Sequence, residues 1–142
     1  MARSLWRLQL ENDPEIGLRE QILKPLDADN HVAAGPGHWG LLVVTVGDES
    51  DTVIGGLWGQ TGYSFLFVEF LALGPAKGRG LGRRVMAIAE HEARQRGLVG
   101  IWLDTFSFQA PVFYEKLGFK EFGQITNFPP GHSRTFYVKR LA

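Results

Sequence analysis

One short segment limits the folds open to this chain more than any other. Three glycines, Gly78, Gly80 and Gly82, lie between an apolar stretch that ends at Leu73 and a stretch with helical spacing. Glycine lacks a Cβ atom, so the backbone of such a turn can adopt positive φ and can approach a ligand closely. A glycine-rich turn from strand to helix indicates an α/β domain with an anion site at the start of the helix.

The turn is also basic. Four cations lie in or beside it with no acidic residue among them: Lys77, Arg79, Arg83 and Arg84. The whole chain carries 15 basic and 15 acidic side chains, so this cluster is a local exception. A phosphate-bearing ligand is therefore the expected partner of the turn. The neutral total charge argues against nucleic acid or a membrane surface as a partner.

Length and composition predict a single domain over residues 1–142. With 44% hydrophobic and 21% charged residues, the chain can bury a core without cross-links. It contains no cysteine, which excludes disulfides, thiolate metal sites and a cysteine nucleophile. Met1–Asn12 has no apolar segment typical of a secretory signal, and no apolar run reaches membrane-spanning length. We therefore expect a cytoplasmic protein.

The hydrophobic pattern predicts the element order β-α-β-β-β-α-β-α-β-β. The expected strands are apolar or β-branched runs between turn residues: 4–10, 39–46, 52–60, 63–73, 99–105, 119–125 and 135–139. The expected helices have apolar residues at helical spacing: 14–24, 80–96 and 110–117. Pro25 is expected to end the first helix at Lys24, and residues 26–37 are expected to form a loop. An antiparallel meander that feeds a βαβ crossover predicts a mixed sheet.

Two common phosphate motifs do not fit the turn. It lacks the Gly-Lys-Ser or Gly-Lys-Thr end of a P-loop, and Arg83 stands where the dinucleotide pattern Gly-x-Gly-x-x-Gly needs its third glycine. Segment 77–82, Lys-Gly-Arg-Gly-Leu-Gly, instead resembles the Gln/Arg-x-x-Gly-x-Gly/Ala loop of the GNAT acetyltransferase superfamily, with Lys77 where Gln or Arg is usual. Taken alone, the turn also fits a flexible helix cap with solvated arginines.

A second segment supports the resemblance. Residues 106–119, Phe-Ser-Phe-Gln-Ala-Pro-Val-Phe-Tyr-Glu-Lys-Leu-Gly-Phe, resemble the second GNAT signature, in which a strand precedes Asn or Gln with Ala and then Phe-Tyr-x-Lys-x-Gly-Phe. The two motifs stand in the expected order, with one helix and one strand between them. Segment 129–134 further resembles a GNAT subgroup that carries this Gln-Ala-Pro-x-Phe-Tyr form. The resemblance covers about residues 41–140.

The resemblance implies an α/β (α+β) GNAT fold, a mixed central sheet of about six to seven strands flanked by three to four helices. A V-shaped splay would lie between two parallel strands, 63–73 and 99–105. Acetyl-coenzyme A would be the co-substrate, with the pantetheine amides paired to the first strand and the pyrophosphate on the turn. The implied binding residues are Leu71, Ala72, Leu73, Lys77, Gly78, Arg79, Gly80, Leu81, Gly82, Arg83, Gln109 and Phe113.

Two side chains are candidate catalysts. The resemblance assigns Tyr114 the donation of a proton to the departing thiolate, and a phenol with a pKa of about 10 is protonated at neutral pH. Glu69 is the main candidate for the base that deprotonates the amine, because it is the one charge in the apolar stretch 65–71. The alternatives are a Tyr114 that only packs in the core and a Glu69 that faces solvent or pairs with an arginine. Asp104 is a weaker candidate base, and His132 is expected to be a surface histidine.

The sequence gives few signals for the residues that bind the acceptor. The predicted loop contains Asp27, Asp29 and His31, and its two acids would attract a cationic amine, although a solvated loop explains these residues as well. Trp58 and Tyr63 would line the acceptor groove or simply pack. The histidines have no metal-like spacing, so no metal site is predicted.

These features together predict an acetyl-coenzyme A-dependent N-acetyltransferase. Without a cysteine to carry an acyl-enzyme, the amine is expected to attack the thioester directly in a ternary complex. The acceptor would be a small-molecule or protein amine, and a homodimer fits the resemblance because small GNAT proteins often pair. The alternatives are a non-catalytic acyl-coenzyme A-binding module and an acyltransferase with another acyl donor or acceptor.

Overall fold

A computed structural model describes residues 5–141 of the chain. They fall into two compact units, of which the first ends at Pro36 and the second begins at Gly37. The first unit contains helix α1 (Leu18–Ala34). The second contains six strands, two helices and a 3-10 turn at Gly74–Ala76, in this order: β1 (Gly40–Gly47), β2 (Val53–Gly62), β3 (Phe65–Ala72), α2 (Leu81–Gln95), β4 (Gly100–Phe106), α3 (Pro111–Lys116), β5 (Lys120–Thr126) and β6 (Ser133–Arg140).

The six strands form one mixed sheet in the order β1-β2-β3-β4-β6-β5. Strands β3 and β4 are parallel, and the other neighbouring pairs are antiparallel. The predicted α/β fold with a mixed sheet is therefore confirmed. Among residues 5–141, no helix has both the length and the apolar character needed to cross a membrane.

The two parallel strands separate at one end. Their register stops where Val68 pairs with Leu103, although β3 continues to Ala72 and β4 to Phe106. Beyond that point β3 stays paired with β2, and β4 stays paired with β6. The sheet therefore opens between β3 and β4, as the predicted splay requires.

Helix α2 packs on the sheet through one apolar face. Its buried residues recur at helical spacing: Gly82, Val85, Met86, Ala89 and Ala93. They join a core that includes the fully buried Leu66 and Ile101 from β3 and β4. Burial of each large aliphatic side chain contributes about 1.5–3 kcal/mol. This packing fixes α2, and with it the glycine-rich turn, against the strands that open.

The predicted N-terminal strand does not form. Residues 5–10 contain no strand, and Ser4 lies outside the described residues. Leu5, Leu8 and Leu10 are each more than four-fifths exposed. Leucines at these spacings do not alternate with polar residues, so they give the segment no single face for a sheet. The prediction of a strand at 4–10 was wrong for this reason.

Helix α1 also departs from its prediction. It begins at Leu18 and passes through Pro25 without ending there. Proline removes one backbone hydrogen bond at a cost of about 3 kcal/mol, but good helix formers on either side keep the helix continuous. The helix ends at Ala34, after which the Gly35 N–H donates to the His31 carbonyl.

The loop predicted for residues 26–37 was therefore wrong over most of its length. Asp27, Asp29 and His31 lie on α1, where no residue is buried. The sequence signal for the true end of the helix is the Gly35-Pro36 pair, which is typical of a helix end.

An ion-pair group joins α2 to β6. The Glu90 carboxylate accepts from Lys139 Nζ at 3.1 Å and from Arg94 Nη2 at 3.1 Å. Lys139 also donates to the Leu117 carbonyl at 2.8 Å. Burial acts to raise the pKa of Glu90, but the hydrogen bonds from Lys139 and Arg94 outweigh burial and lower the pKa below 4.5.

We expect Glu90→Gln to lower the free energy of unfolding by about 1 kcal/mol at neutral pH. Because the folded-state pKa is lowered, this stabilisation is present above pH 4.5 and is lost as pH falls through the folded-state pKa. Urea unfolding at pH 7 and at about pH 3 measures both values. Glu92→Gln, which removes an exposed pair with Arg96, is the matched control and should cost less. An equal loss for Glu90→Gln at both pH values would contradict the linkage.

Candidate active site

The gap between β3 and β4 opens into a cavity of about 770 Å³. This volume is in the range of small-molecule and cofactor sites. Its lining comes from β3, the glycine-rich turn, β4, α3 and β6: Val68, Glu69, Phe70, Leu71, Ala72, Leu73, Lys77, Gly78, Gly80, Gly82, Arg83, Leu103, Asp104, Thr105, Phe106, Phe108, Gln109, Ala110, Phe113, Tyr114 and Arg134.

A bulge shapes the β3 wall of the cavity. Trp58 pairs with Phe70 and Gly59 pairs with Val68, so Glu69 is an extra residue with no partner of its own on β2. Such an insertion breaks the strict alternation of side chains along a strand. Glu69 and Phe70 both line the cavity at this bulge.

The backbone of the same wall can bind a ligand. From Glu69 to Ala72, β3 no longer pairs with β4, and within residues 5–141 no other strand takes the place of β4. An unpaired strand edge presents N–H and C=O groups that a ligand with amide groups can satisfy. The predicted pantetheine contacts Leu71, Ala72 and Leu73 all line the cavity beside this edge.

The glycine-rich turn forms the next wall. Gly78 and Gly80 have φ values of 84° and 73°, and a Cβ atom at either position would meet nothing within 4 Å. Space for a ligand is therefore open directly beside the backbone. Helix α2 begins immediately after Gly80 and directs unpaired N–H groups and its positive dipole end to this turn. Lys77 and Arg83 also line the cavity, so the turn fits a phosphate group.

Most of the predicted cofactor residues are brought together here. Arg79 and Leu81 of the turn do not line the cavity, whereas all the other predicted cofactor residues do. Gly82 has a packing role as well, because a Cβ atom there would lie 3.2 Å from Phe113 Cζ and 3.3 Å from Leu73 Cδ1. Glycine at this position thus allows α2 to approach α3 closely.

Tyr114 lies on α3 with its ring buried. It is 8% exposed and packs edge-on against Phe113 and Phe119, at centroid distances of 5.0 and 5.9 Å. Burial, together with the negative charge of Asp104, raises the pKa of Tyr114 to about 12. No hydrogen bond to its hydroxyl is present within residues 5–141. The phenol therefore stays protonated and is free to donate into the cavity.

Gln109 holds the loop between β4 and α3. Its Oε1 accepts from the Phe106 N–H at 2.8 Å and from Thr105 Oγ1 at 3.2 Å. The side-chain carbonyl is thus occupied by the protein, and the amide N–H₂ group is the part that can serve a ligand. Gln109 could therefore make the predicted hydrogen bond to the cofactor only as a donor, through this amide group.

Glu69 is exposed, and its Oε2 accepts from Gln60 Nε2 at 3.0 Å. Oε1 has no such partner among the described residues. Asp104, the weaker candidate base, accepts from Arg134 Nε at 2.7 Å. This hydrogen bond raises the pKa of Arg134, while burial opposes the rise. Asp104 is therefore in an ion pair with Arg134, whereas within residues 5–141 Glu69 has a hydrogen bond only from a neutral amide.

Arg134 is a cavity residue that the sequence did not single out. Besides its bond to Asp104, its guanidinium lies 5.3 Å from the Phe106 ring centre, 5.5 Å from Phe128 and 5.6 Å from Phe136. Arginine over aromatic faces gains cation–π attraction. The available signal was the density of phenylalanines at the end of β4 and in β6, close to the one arginine of the 129–134 segment.

The predicted acceptor-side residues of this unit lie outside the cavity lining. Trp58 is on β2, and Tyr63 packs edge-on against Trp39 at 5.3 Å. His132 is exposed and contacts Ser107 Oγ at 3.3 Å through Nδ1. Among the described residues, no cluster of three or more histidine, aspartate or glutamate side chains is placed to hold a metal ion.

Comparison with known proteins identifies the family. Residues 3–119 match the acetyltransferase (GNAT) family. The chain is 35% identical over 121 residues to acetyltransferase Atu2258 of Agrobacterium fabrum, covering 84% of this chain and 88% of that protein. It is 38% identical over 95 residues to the blasticidin-S acetyltransferase of Streptomyces morookaense, covering 66% of this chain and 70% of that protein.

Solved structures agree with the sequence matches. A crystal structure from Agrobacterium tumefaciens, titled as an acetyltransferase, superposes with a TM-score of 0.89 at 31% identity, covering 95% of this chain and 99% of that one. An aminoglycoside 6'-N-acetyltransferase complexed with coenzyme A shows the same fold, with a TM-score of 0.60 at 19% identity and coverage of 72% and 73%. The chain therefore belongs to the GNAT family of acetyl-coenzyme A-dependent acyltransferases.

Proposed function

We propose that this chain is an N-acetyltransferase that moves the acetyl group of acetyl-coenzyme A to a primary amine. The observation that carries the proposal is that one cavity is lined by an unpaired β3 edge, a basic glycine-rich helix start and a buried, protonated Tyr114. The pyrophosphate would lie on the turn between Lys77 and Arg83. The pantetheine would follow β3 toward the point where the strands part.

The proposed reaction is a direct attack in a ternary complex. The neutral amine nitrogen forms a bond to the thioester carbonyl carbon, and the carbon–sulfur bond breaks. Tyr114 gives its proton to the departing thiolate, which leaves as the free thiol. An amine that arrives protonated first gives its extra proton to Glu69, directly or through water, and Glu69 releases that proton to solvent. The proton that the nitrogen loses after the attack returns to Tyr114, and the products are the acetamide and coenzyme A.

Glu69 is the proposed base because it lies at the opening of the strands and, unlike Asp104, is not in an ion pair with an arginine of the described chain. We expect Glu69→Gln to lower kcat/KM by about 10- to 100-fold at neutral pH, where the amine arrives protonated. The amide is isosteric and keeps a contact with Gln60. Near pH 10 a lysine-like amine, with a pKa of about 10.4, is partly neutral without help, so the deficit should shrink.

Rates for the Glu69→Gln variant across this pH range test the assignment. Glu121→Gln, on the exposed outer strand β5 and outside the cavity lining, is the matched control and should leave the rate unchanged. A deficit that stays constant from neutral pH to pH 10 would show that Glu69 only positions the acceptor.

The relatives favour a small-molecule acceptor. The blasticidin-S acetyltransferase acts on an antibiotic, and the chain matches 70% of its length. We propose small amines of this broad kind as acceptors before protein lysines. Because the family match spans residues 3–119, we also propose that both compact units belong to one acetyltransferase domain.

A screen of amines with acetyl-coenzyme A, read out as released thiol, tests the proposal. Amine-dependent thiol release is the expected result. Binding of acetyl-coenzyme A without thiol release from any amine would favour a non-catalytic acyl-coenzyme A module. Faster release from longer acyl thioesters than from the acetyl ester would indicate another acyl donor.

A further inference from the structure

An aromatic stack in the cavity has no part in the proposed chemistry. Phe106 and Phe108 lie with ring centroids 5.2 Å apart and with planes only 8° from parallel. Both residues line the cavity. Phe106 also contacts Phe128 and Arg134, whereas Phe108 is 57% exposed. Phe108, at the end of the stack, therefore keeps more than half of its surface open to a ligand.

The loop holds Phe108 in this exposed position. On one side, the Ser107 N–H donates to the Ser133 carbonyl at 2.8 Å, and the Ser133 N–H donates to Ser107 Oγ at 3.1 Å. On the other side, Gln109 Oε1 accepts from the Phe106 N–H. The Phe108 ring also meets His132 edge-on at 5.0 Å.

A single exposed phenyl ring is ordinary on a protein surface. Phe108 differs because it is stacked on Phe106 and because the loop that carries it is fixed on both sides of the ring. Pre-organised aromatic faces of this kind bind flat rings at low entropic cost.

The β3 wall of the cavity also carries an exposed aromatic side chain. Phe70 is 56% exposed and lines the cavity next to Glu69 on the bulge. The two other charges at this end, Asp104 and Arg134, are paired with each other. An acceptor in this part of the cavity thus meets apolar aromatic faces and the Glu69 carboxylate, which has no cationic partner among the described residues.

We infer that the acceptor is a cationic amine that carries a planar aromatic or heteroaromatic ring. The ring continues the Phe106–Phe108 stack, and the ammonium group lies at Glu69. This inference rests on the proposed N-acetyltransferase function and names the substrate class of the same site. Phe108 is then a specificity-determining residue, and it takes no part in proton transfer.

Two amines of equal chain length test the inference: 2-phenylethylamine and 2-cyclohexylethylamine. They differ in ring planarity and share the same amine. We expect kcat/KM to be about tenfold higher for the phenyl compound, in line with the gain from aromatic pairing. Phe108→Leu, which keeps an apolar side chain without a flat face, should bring the ratio toward one. Phe108→Tyr should preserve the ratio.

The control is Phe122→Leu. Phe122 is 58% exposed on β5 and outside the cavity lining, so its loss should leave the ratio unchanged. Equal kcat/KM values for both amines in the wild-type chain, or an unchanged ratio in Phe108→Leu, would overturn the inference while leaving the N-acetyltransferase proposal intact.

If neither amine is acetylated, calorimetric binding of the two amines to the coenzyme A-saturated protein decides the matter. Tighter binding of 2-phenylethylamine, lost in Phe108→Leu, would support the aromatic site although these amines are not acetylated. Binding without preference, or no binding of either amine, would overturn it.

Discussion

Replacement of Tyr114 by Phe should lower kcat for amine acetylation by about 100- to 1,000-fold, the range expected for loss of a general acid. The Kd for acetyl-coenzyme A should change by less than about twofold, because the ring and its packing against Phe113 and Phe119 remain. No protein hydrogen bond is lost within residues 5–141. Steady-state kinetics and calorimetry on the same preparation separate the two effects.

Tyr137→Phe is the matched control for this replacement. Burial, with a hydrogen bond to Glu115, also raises the pKa of Tyr137 to about 12, but Tyr137 does not line the cavity. Its replacement should reduce stability and leave kcat nearly unchanged. An unchanged kcat in Tyr114→Phe would remove Tyr114 from the mechanism.

The pKa of Tyr114 adds a second readout. Since burial and the charge of Asp104 raise this pKa to about 12, the protonated form persists through neutral and moderately alkaline pH. The general acid should therefore cause no fall in kcat below about pH 11. A fall centred near pH 10 that is absent from Tyr114→Phe would contradict the raised value.

The second large effect is expected at the helix start. Arg83→Gln should raise the Kd for acetyl-coenzyme A by about 10- to 100-fold, because a charge-assisted contact to phosphate contributes about 1.5–3 kcal/mol. Arg84→Gln is the matched control: the two arginines are adjacent and exposed on α2, but only Arg83 lines the cavity. Arg84→Gln should change the Kd by less than about twofold.

A ligand without phosphates sharpens this comparison. S-Acetylpantetheine lacks the pyrophosphate, so Arg83→Gln should leave its binding unchanged. The loss for acetyl-coenzyme A should also shrink as salt is raised, because an exposed charge contact is screened. Equal Kd values for the two arginine variants would place the pyrophosphate elsewhere.

The glycine-rich turn was predictable because its signals are local. Three glycines, a cluster of cations and a change to helical spacing all lie within a few residues, and α2 begins at Leu81, next to the predicted start at Gly80. The mixed sheet followed from element order alone. Both depend on neighbouring residues, which a sequence shows directly.

The bulge at Glu69 was not predictable in the same way. It exists because Trp58 pairs with Phe70 while Gly59 pairs with Val68, and such a register is a property of two strands together. The Asp104–Arg134 pair depends on the register of β4 with β6, across 30 residues of sequence. Local patterns identified Glu69 and Asp104, but they did not identify Arg134 and could not bring it together with Asp104.

In helix α1, by contrast, the context of the chain overrides a local signal. Pro25 was expected to end the first helix, but the helix continues through it to Ala34. One lost backbone bond is outweighed when the residues on both sides favour helix.

Calorimetric titration of the full chain with acetyl-coenzyme A tests the central claim most directly, since every proposed step needs this ligand in the β3–β4 cavity. We predict one site per chain with a Kd of about 1–100 µM, a range usual for enzyme substrates. The affinity should fall in Arg83→Gln and should stay close to that of the wild-type chain in Arg84→Gln. Absence of binding at about 1 mM ligand, in protein that still unfolds cooperatively, would contradict the account.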